Sequence, residues 1–184
     1  MAKGIFFLCL LFISLQLTAQ KNISLDFSSV KNTKAALSGL NVSGFYHFTE
    51  HLSGGIELNR FFGKKIIRKD IEVEHNLEEI ELSAWDFDCN FHFNIPLTNH
   101  FTTYPILGFS HTSEKEKLLT QRKEHTDHFW SFNSSIGIMH SLGKISPHFE
   151  YLLTWGKVNH EFMLLGFSYE LGLKHNKHKI KVKK

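Results

Sequence analysis

Apolar and polar residues alternate without a break over 85–95. Trp85, Phe87, Cys89, Phe91, Phe93 and Ile95 fall on one side, and Asp86, Asp88, Asn90, His92 and Asn94 on the other. Successive strand side chains point to opposite faces, so this segment is a strand lying between an apolar medium and a polar one. A soluble sheet buries the apolar face in its own core. A membrane barrel turns it to lipid and keeps the polar face inside.

The same period of two predicts strands over 22–30, 37–48, 52–62, 79–95, 101–111, 129–142, 145–155 and 161–173. Only 101–111 has an uncertain phase, because Pro105 lies within it. No amphipathic helical pattern separates these segments. Short connections at 49–51, 96–100 and 143–144 alternate with longer polar ones at 64–78 and 112–128, and with shorter relatives at 31–36 and 156–160. That sorting predicts an all-β, eight-stranded antiparallel up-and-down transmembrane barrel, with tight turns at one rim and longer loops at the other. A Greek-key sandwich gives no reason for it.

The N-terminus adds to this picture. One lysine precedes a mostly apolar run over 5–15, and Leu17-Thr18-Ala19 offers a small residue for cleavage, the order of a secretory signal peptide. The run is too short to cross a bilayer as a helix. Residues 1–19 are therefore expected to be removed, leaving a barrel over 20–173 and a basic tail over 174–184. Of the two cysteines only Cys89 is then left, on an apolar face, so no disulfide scaffold is possible. A mean hydropathy of -0.18 is compatible with barrel strands, in which only alternate residues meet lipid.

Charge divides between body and tail. Of 21 Lys and Arg, one lies in residues 1–19 and six in the tail, leaving 14 in the body against 18 Asp and Glu, a net of -4. An acidic body argues against nucleic-acid binding. The tail is expected to be disordered in the periplasm, with anionic headgroups as its alternative contact.

With the apolar faces outward, the polar faces line the interior. This places Glu57, Asn59, Asp86, Asp88, Asn90, His92, Asn133, His148, Glu150 and Glu170 in the lumen as a structural network, where buried charges must be paired or neutralised. Eight strands leave no room for an open pore. Trp85, Trp130 and Trp155, near the long-loop ends of their strands, suit an aromatic girdle. The 13 histidines show no HExxH and no paired Cys/His spacing, so no metal site and no cofactor are expected.

At this point the chain resembles the small eight-stranded outer-membrane β-barrel family, the group of OmpX and the transmembrane domain of OmpA. The resemblance rests on the signal peptide, the eight alternating strands, the sorted loops and the last strand, Leu164-Leu165-Gly166-Phe167-Ser168-Tyr169-Glu170-Leu171. That strand is similar to the family's C-terminal assembly signal, with Gly166, Tyr169 and Leu171 at the diagnostic positions. Two features depart from the pattern: Leu164, where a polar residue is usual, and the tail that follows the strand. The resemblance implies the outer membrane of a Gram-negative bacterium, with lipid and lipopolysaccharide around the wall and the barrel-assembly machinery as partner. It implies a non-enzymatic structural or interaction role, with an extracellular partner met through 64–78 and 112–128. Two other readings stay open. One is a secreted lipocalin-like barrel holding an apolar ligand. The other is a lipid A deacylase using His111 and Ser113 with Glu114 or Glu124.

Overall fold

Each segment of period-two polarity is a strand in the computed structural model, which describes residues 22–35, 37–69, 77–119 and 123–172. The strands are β1 (Asn22–Asn32), β2 (Ser38–His47), β3 (Leu52–Lys69), β4 (Leu77–Phe93), β5 (Ile95–Pro96), β6 (Phe101–Leu118), β7 (Glu124–His140), β8 (Ile145–Gly156) and β9 (His160–Gly172). The two-residue β5 continues β4 past Asn94, so the chain makes eight staves. Neighbours in sequence pair antiparallel, β4 pairs with β6, and β1 pairs with β9 from Asn22↔Gly172 to Asn32↔Phe162, which closes the barrel. Closure removes the unpaired edges that an open sheet would present.

The polarity of the wall is inverted relative to a soluble protein. Leu165 is 66% exposed, Phe109 61% and Trp130 69%, whereas Asp88 is 1% exposed and Asn133 is fully buried. Trp85 and Trp155 also face outward, and the Arg60 guanidinium lies 4.6 Å from the centre of the Trp85 ring. The doubtful phase of 101–111 is resolved by Tyr104, Ile106 and Ser110, which point inward. Pro105, which has no N–H to donate, falls where the β4 ladder passes from His92↔Ile106 to Ile95↔Thr103.

The long connections need correction. The segments expected as loops over 64–78 and 112–128 are largely strand: β3 runs to Lys69, β4 starts at Leu77, β6 runs to Leu118 and β7 starts at Glu124. They pair continuously, Lys65↔Glu81 to Lys69↔Leu77 after a bulge between Phe61 and Lys64, and Lys115↔Thr126 to Lys117↔Glu124. Runs of charge, Lys64-Lys65 on β3 and Glu114–Lys117 on β6, interrupt the apolar alternation in these upper segments, although Ile80 and Leu82 of β4 are still buried inward. The β2 partner ends at Gly39↔Phe61 and the β8 partner at Ser131↔Gly156. The upper parts of β3, β4, β6 and β7 therefore stand above the rest of the rim as a four-stranded sheet.

The expected signal peptide over 1–19, the basic tail over 174–184 and, within the two expected loops, residues 70–76 and 120–122 lie outside the described residues.

Candidate functional site

The inward faces stack in layers. At the rim where β1 begins and β9 ends, a cavity of about 220 Å³ is lined by His47, Glu50, Asn94, Thr102, Met139 and Glu170. Above it on one side, the His92 ring packs between Phe45 and Tyr104, with centroids 4.1 and 5.1 Å apart. The next layer is polar. The top layer is apolar: Val30, Leu37, Phe61, Leu82, Ala84, Leu152, Phe162 and Leu164 form one buried cluster across the barrel, with Phe61 and Phe162 stacked at 5.3 Å.

The polar layer is joined by amides. Asn41 Nδ2 donates to Glu57 Oε2 at 3.2 Å and to Asn59 Oδ1 at 2.9 Å. Asn59 Nδ2 donates to Asp88 Oδ2 at 2.8 Å, and Asn90 Nδ2 to Glu57 Oε1 at 2.6 Å. Asn133 Nδ2 reaches Asn90 Oδ1 across the wall at 3.2 Å. That approach passes Gly108, where an added Cβ would run into Asn90 Oδ1 and the Cys89 carbonyl. A second branch carries Tyr104 Oη, donating to Glu150 Oε1 at 2.9 Å, and His148 Nε2, 2.9 Å from Ser28 Oγ.

Glu57, Asn59, Asp86, Asp88, Asn90, His92, His148 and Glu150 are thus all buried on inward faces. Glu170 also has the inward phase, but it stands at the open mouth and is exposed. The buried acids Asp26, Glu57, Asp86, Asp88 and Glu150 meet no buried Lys or Arg among the described residues. Glu57 has His92 Nε2 at 3.9 Å.

The positions marked for assembly lie on β9. Tyr169 and Leu171 face outward, and Gly166 faces inward, where a Cβ would collide with Ser28 Oγ and the Phe27 carbonyl of β1. Leu164, a departure from the family pattern, is 3% exposed within the apolar cluster, which accounts for its side chain.

The catalytic candidates are separated. His111 and Ser113 share the outer face of β6, with Phe87 and Trp130 beside His111, and Trp85 and His128 beside Ser113. The His111 ring lies 4.9 Å from Trp130 and 5.8 Å from His128. Glu114 belongs to the opposite face, and the Glu124 carboxylate is 2.7 Å from Lys115 Nζ. Neither acid orients His111. Among the described residues no three His, Cys, Asp or Glu side chains gather as a metal-ligand set.

Two groups were missed from the sequence. Phe45, Phe61 and Phe162 point inward although aromatic, and their phase relative to Ser43, Asn59 and Ser168 is the signal that finds them. Ser110 was hidden by the unresolved phase of 101–111, and Thr112 by the reading of 112–128 as a loop.

No protein-family model matches the sequence, and none of the curated proteins is similar to it. Its architecture is shared by solved small outer-membrane barrels. One is Ail of Yersinia pestis in complex with the heparin analogue sucrose octasulfate, with a TM-score of 0.56, 14% identity, and coverage of 83% of this chain and 99% of that one. Another is the N-terminal β-barrel domain of Pseudomonas aeruginosa OprF, with 0.56, 13%, and coverage of 82% and 98%. A major outer membrane protein of Thermus thermophilus gives 0.64, 7%, and coverage of 83% and 100%. The fold is that of the eight-stranded outer-membrane β-barrels.

Proposed function

We propose that this protein is a small, non-enzymatic outer-membrane barrel of a Gram-negative bacterium, without a wide pore, exported by its N-terminal signal peptide. The protruding sheet of β3, β4, β6 and β7 is its contact surface for an extracellular partner. The observation that carries the reading is the inversion of polarity around the closed wall. Leu25, Phe27, Leu58, Phe87, Phe109 and Leu165 face outward from adjoining staves while Asp88, Asn90 and Asn133 are buried. Such a wall costs free energy in water and gains it in hydrocarbon. The same polarity counts against a lipocalin-like carrier, whose apolar residues would line the inside.

Lipid and lipopolysaccharide surround the wall in this reading. The barrel-assembly machinery receives β9 through Gly166, Tyr169 and Leu171, the strand that closes on β1. The lumen carboxylates and amides hold the staves together instead of conducting ions, because the apolar cluster closes the lumen above them. The contact role rests on position: binding residues concentrate on segments that a rigid scaffold holds in the open. Ail offers a precedent for a barrel of this architecture meeting a sulfated sugar.

The test is fractionation of cells expressing the protein, followed by gel mobility with and without boiling. Recovery in the outer membrane with a shift on boiling is expected. Recovery as a soluble periplasmic protein, with no detergent and no shift, overturns the proposal.

A further inference from the structure

Six oxygen-bearing side chains share one stretch of the inner wall: Asp86 and Asp88 on β4, Ser110 and Thr112 on β6, Ser131 and Asn133 on β7. Register sets them side by side, with Asp88↔Ser110↔Ser131 in one row and Asp86↔Thr112 in the next. Directly opposed residues of neighbouring strands have Cβ atoms about 5 Å apart. Asn133 belongs to the row of Gly108 and leans over that glycine, so that it and Ser110 both flank the Asp88 carboxylate. All six are at least nine-tenths buried.

Four of them carry a buried oxygen with no hydrogen-bond partner: Asp86 Oδ1, Asp88 Oδ1, Ser131 Oγ and Asn133 Oδ1. With both carboxyls ionised, three of these oxygens can only accept. The amide of Asn133 cannot be turned to supply a donor without losing the bond from its Nδ2 to Asn90. The hydroxyls of Thr112 and Ser110 and the amide of Asn133 reach the carboxylates of Asp86 and Asp88. The oxygens just named are what these donors leave unmet, on a wall with a formal charge of -2 and no Lys or Arg buried among the described residues. Unmet buried acceptors are costly, and a positive species held among them offsets that cost.

We infer that this wall of β4, β6 and β7 binds a hard divalent cation, with the properties of Ca2+, on the oxygens of Asp86, Asp88, Ser131 and Asn133. An all-oxygen set of carboxylate, amide and hydroxyl groups is calcium's donor chemistry, and two carboxylates match its charge. Metals that favour nitrogen find none here, since the inward positions of β4 between Asp86 and His92 are all oxygen-bearing side chains. His92 and its aromatic neighbours lie below the site and Phe61 and Ala84 above it. The ion therefore enters while the barrel closes, and it bridges three staves once inside.

The test refolds the full mature chain into detergent free of lipopolysaccharide, with CaCl2 or with a chelator, and reads two quantities. These are the Ca2+ retained per barrel after desalting and the temperature at which the folded gel band is lost. The expected result is about one ion per barrel and a band that survives to higher temperature with Ca2+. Asp88→Asn and Asp86→Asn are expected to weaken retention about tenfold or more. Asn133→Asp is expected to strengthen it, and Asp26→Asn, an acid elsewhere in the lumen, to leave it unchanged. Should Asp88→Asn give no folded band, Ser131→Ala and Asn133→Asp carry the test. Retention well below one ion per barrel in the wild type overturns the site, as does equal retention in the Asp86 and Asp88 variants. A transition that moves with pH and ignores Ca2+ also overturns it, and assigns the missing positive charge to protons.

Discussion

At Gly108 a single methyl group is enough to break the polar layer. Its Cβ would occupy the space of Asn90 Oδ1 and of the Cys89 carbonyl, and neither can withdraw without undoing bonds to Glu57 and the β4 ladder. Gly108→Ala is expected to destabilise the barrel by about 1–3 kcal/mol, the usual range for overpacking, read as a lower urea midpoint for refolding into vesicles. Outside the wall the chemistry is that of an exposed pair. Lys115 Nζ lies 2.7 Å from the Glu124 carboxylate and holds that carboxyl below its usual range. A pKa lower in the folded hairpin than in the unfolded chain means that the pair's stabilisation is present above the ordinary carboxylate range. It is lost as pH falls through the depressed value. A carbon-detected NMR titration is expected to find Glu124 titrating low, and to find it back in the ordinary range in Lys115→Ala. Much of this residue-level picture was legible in the sequence. Asp86, Asp88, Asn90 and His92 follow from period-two polarity alone, since β4 keeps its phase for its whole membrane length. Ser110 and the role of Gly108 were not, because Pro105 interrupts 101–111 and Tyr104 and Ile106 put apolar side chains on the inner face of β6. Thr112 was not, because it fell in the segment read as a loop.

Elements show a sharper division. Each stave was legible where lipid touches one of its faces, because the medium itself imposes the alternation. Above the rim that contrast weakens, and the charged segments 64–78 and 112–128 read as loops although most of their described backbone is paired. What holds them is the cross-strand ladder, together with Ile66, which packs against the apolar cluster, and Ile80, buried opposite it on β4. The protruding sheet is thus an addition to a barrel that is complete beneath it. Joining Ile67 to Glu79 through an Asn-Gly turn in place of 68–78 is expected to leave the boiling-dependent gel shift intact while removing contact with an external partner. The lipid-facing side of a stave tolerates no such liberty. Phe109→Arg places a charge on the outer wall of β6 and is expected to cost about 2–4 kcal/mol if it lies near the bilayer centre, measured by equilibrium refolding in vesicles.

The molecule as a whole is graded along its axis. A wet vestibule opens at the rim of the chain ends, amides and carboxylates fill the middle, and an apolar cluster closes the other end. In proteoliposomes the wild type is expected to admit no sugars and to give no single-channel steps in planar bilayers; stepwise conductance would show that the cluster around Phe61 and Phe162 opens. The rim is graded too, but around its circumference. Past Phe61, at about 3.3 Å per residue and a tilt near 40°, β3 climbs on the order of 20 Å above the low side. For a barrel seated in an outer membrane, the polysaccharide coat buries the low arc of β1, β2, β8 and β9 and leaves one ridge standing clear. An antibody or a bacteriophage arriving from outside therefore meets a molecule with a single approachable flank, and selection by such visitors falls on the upper strands of that flank.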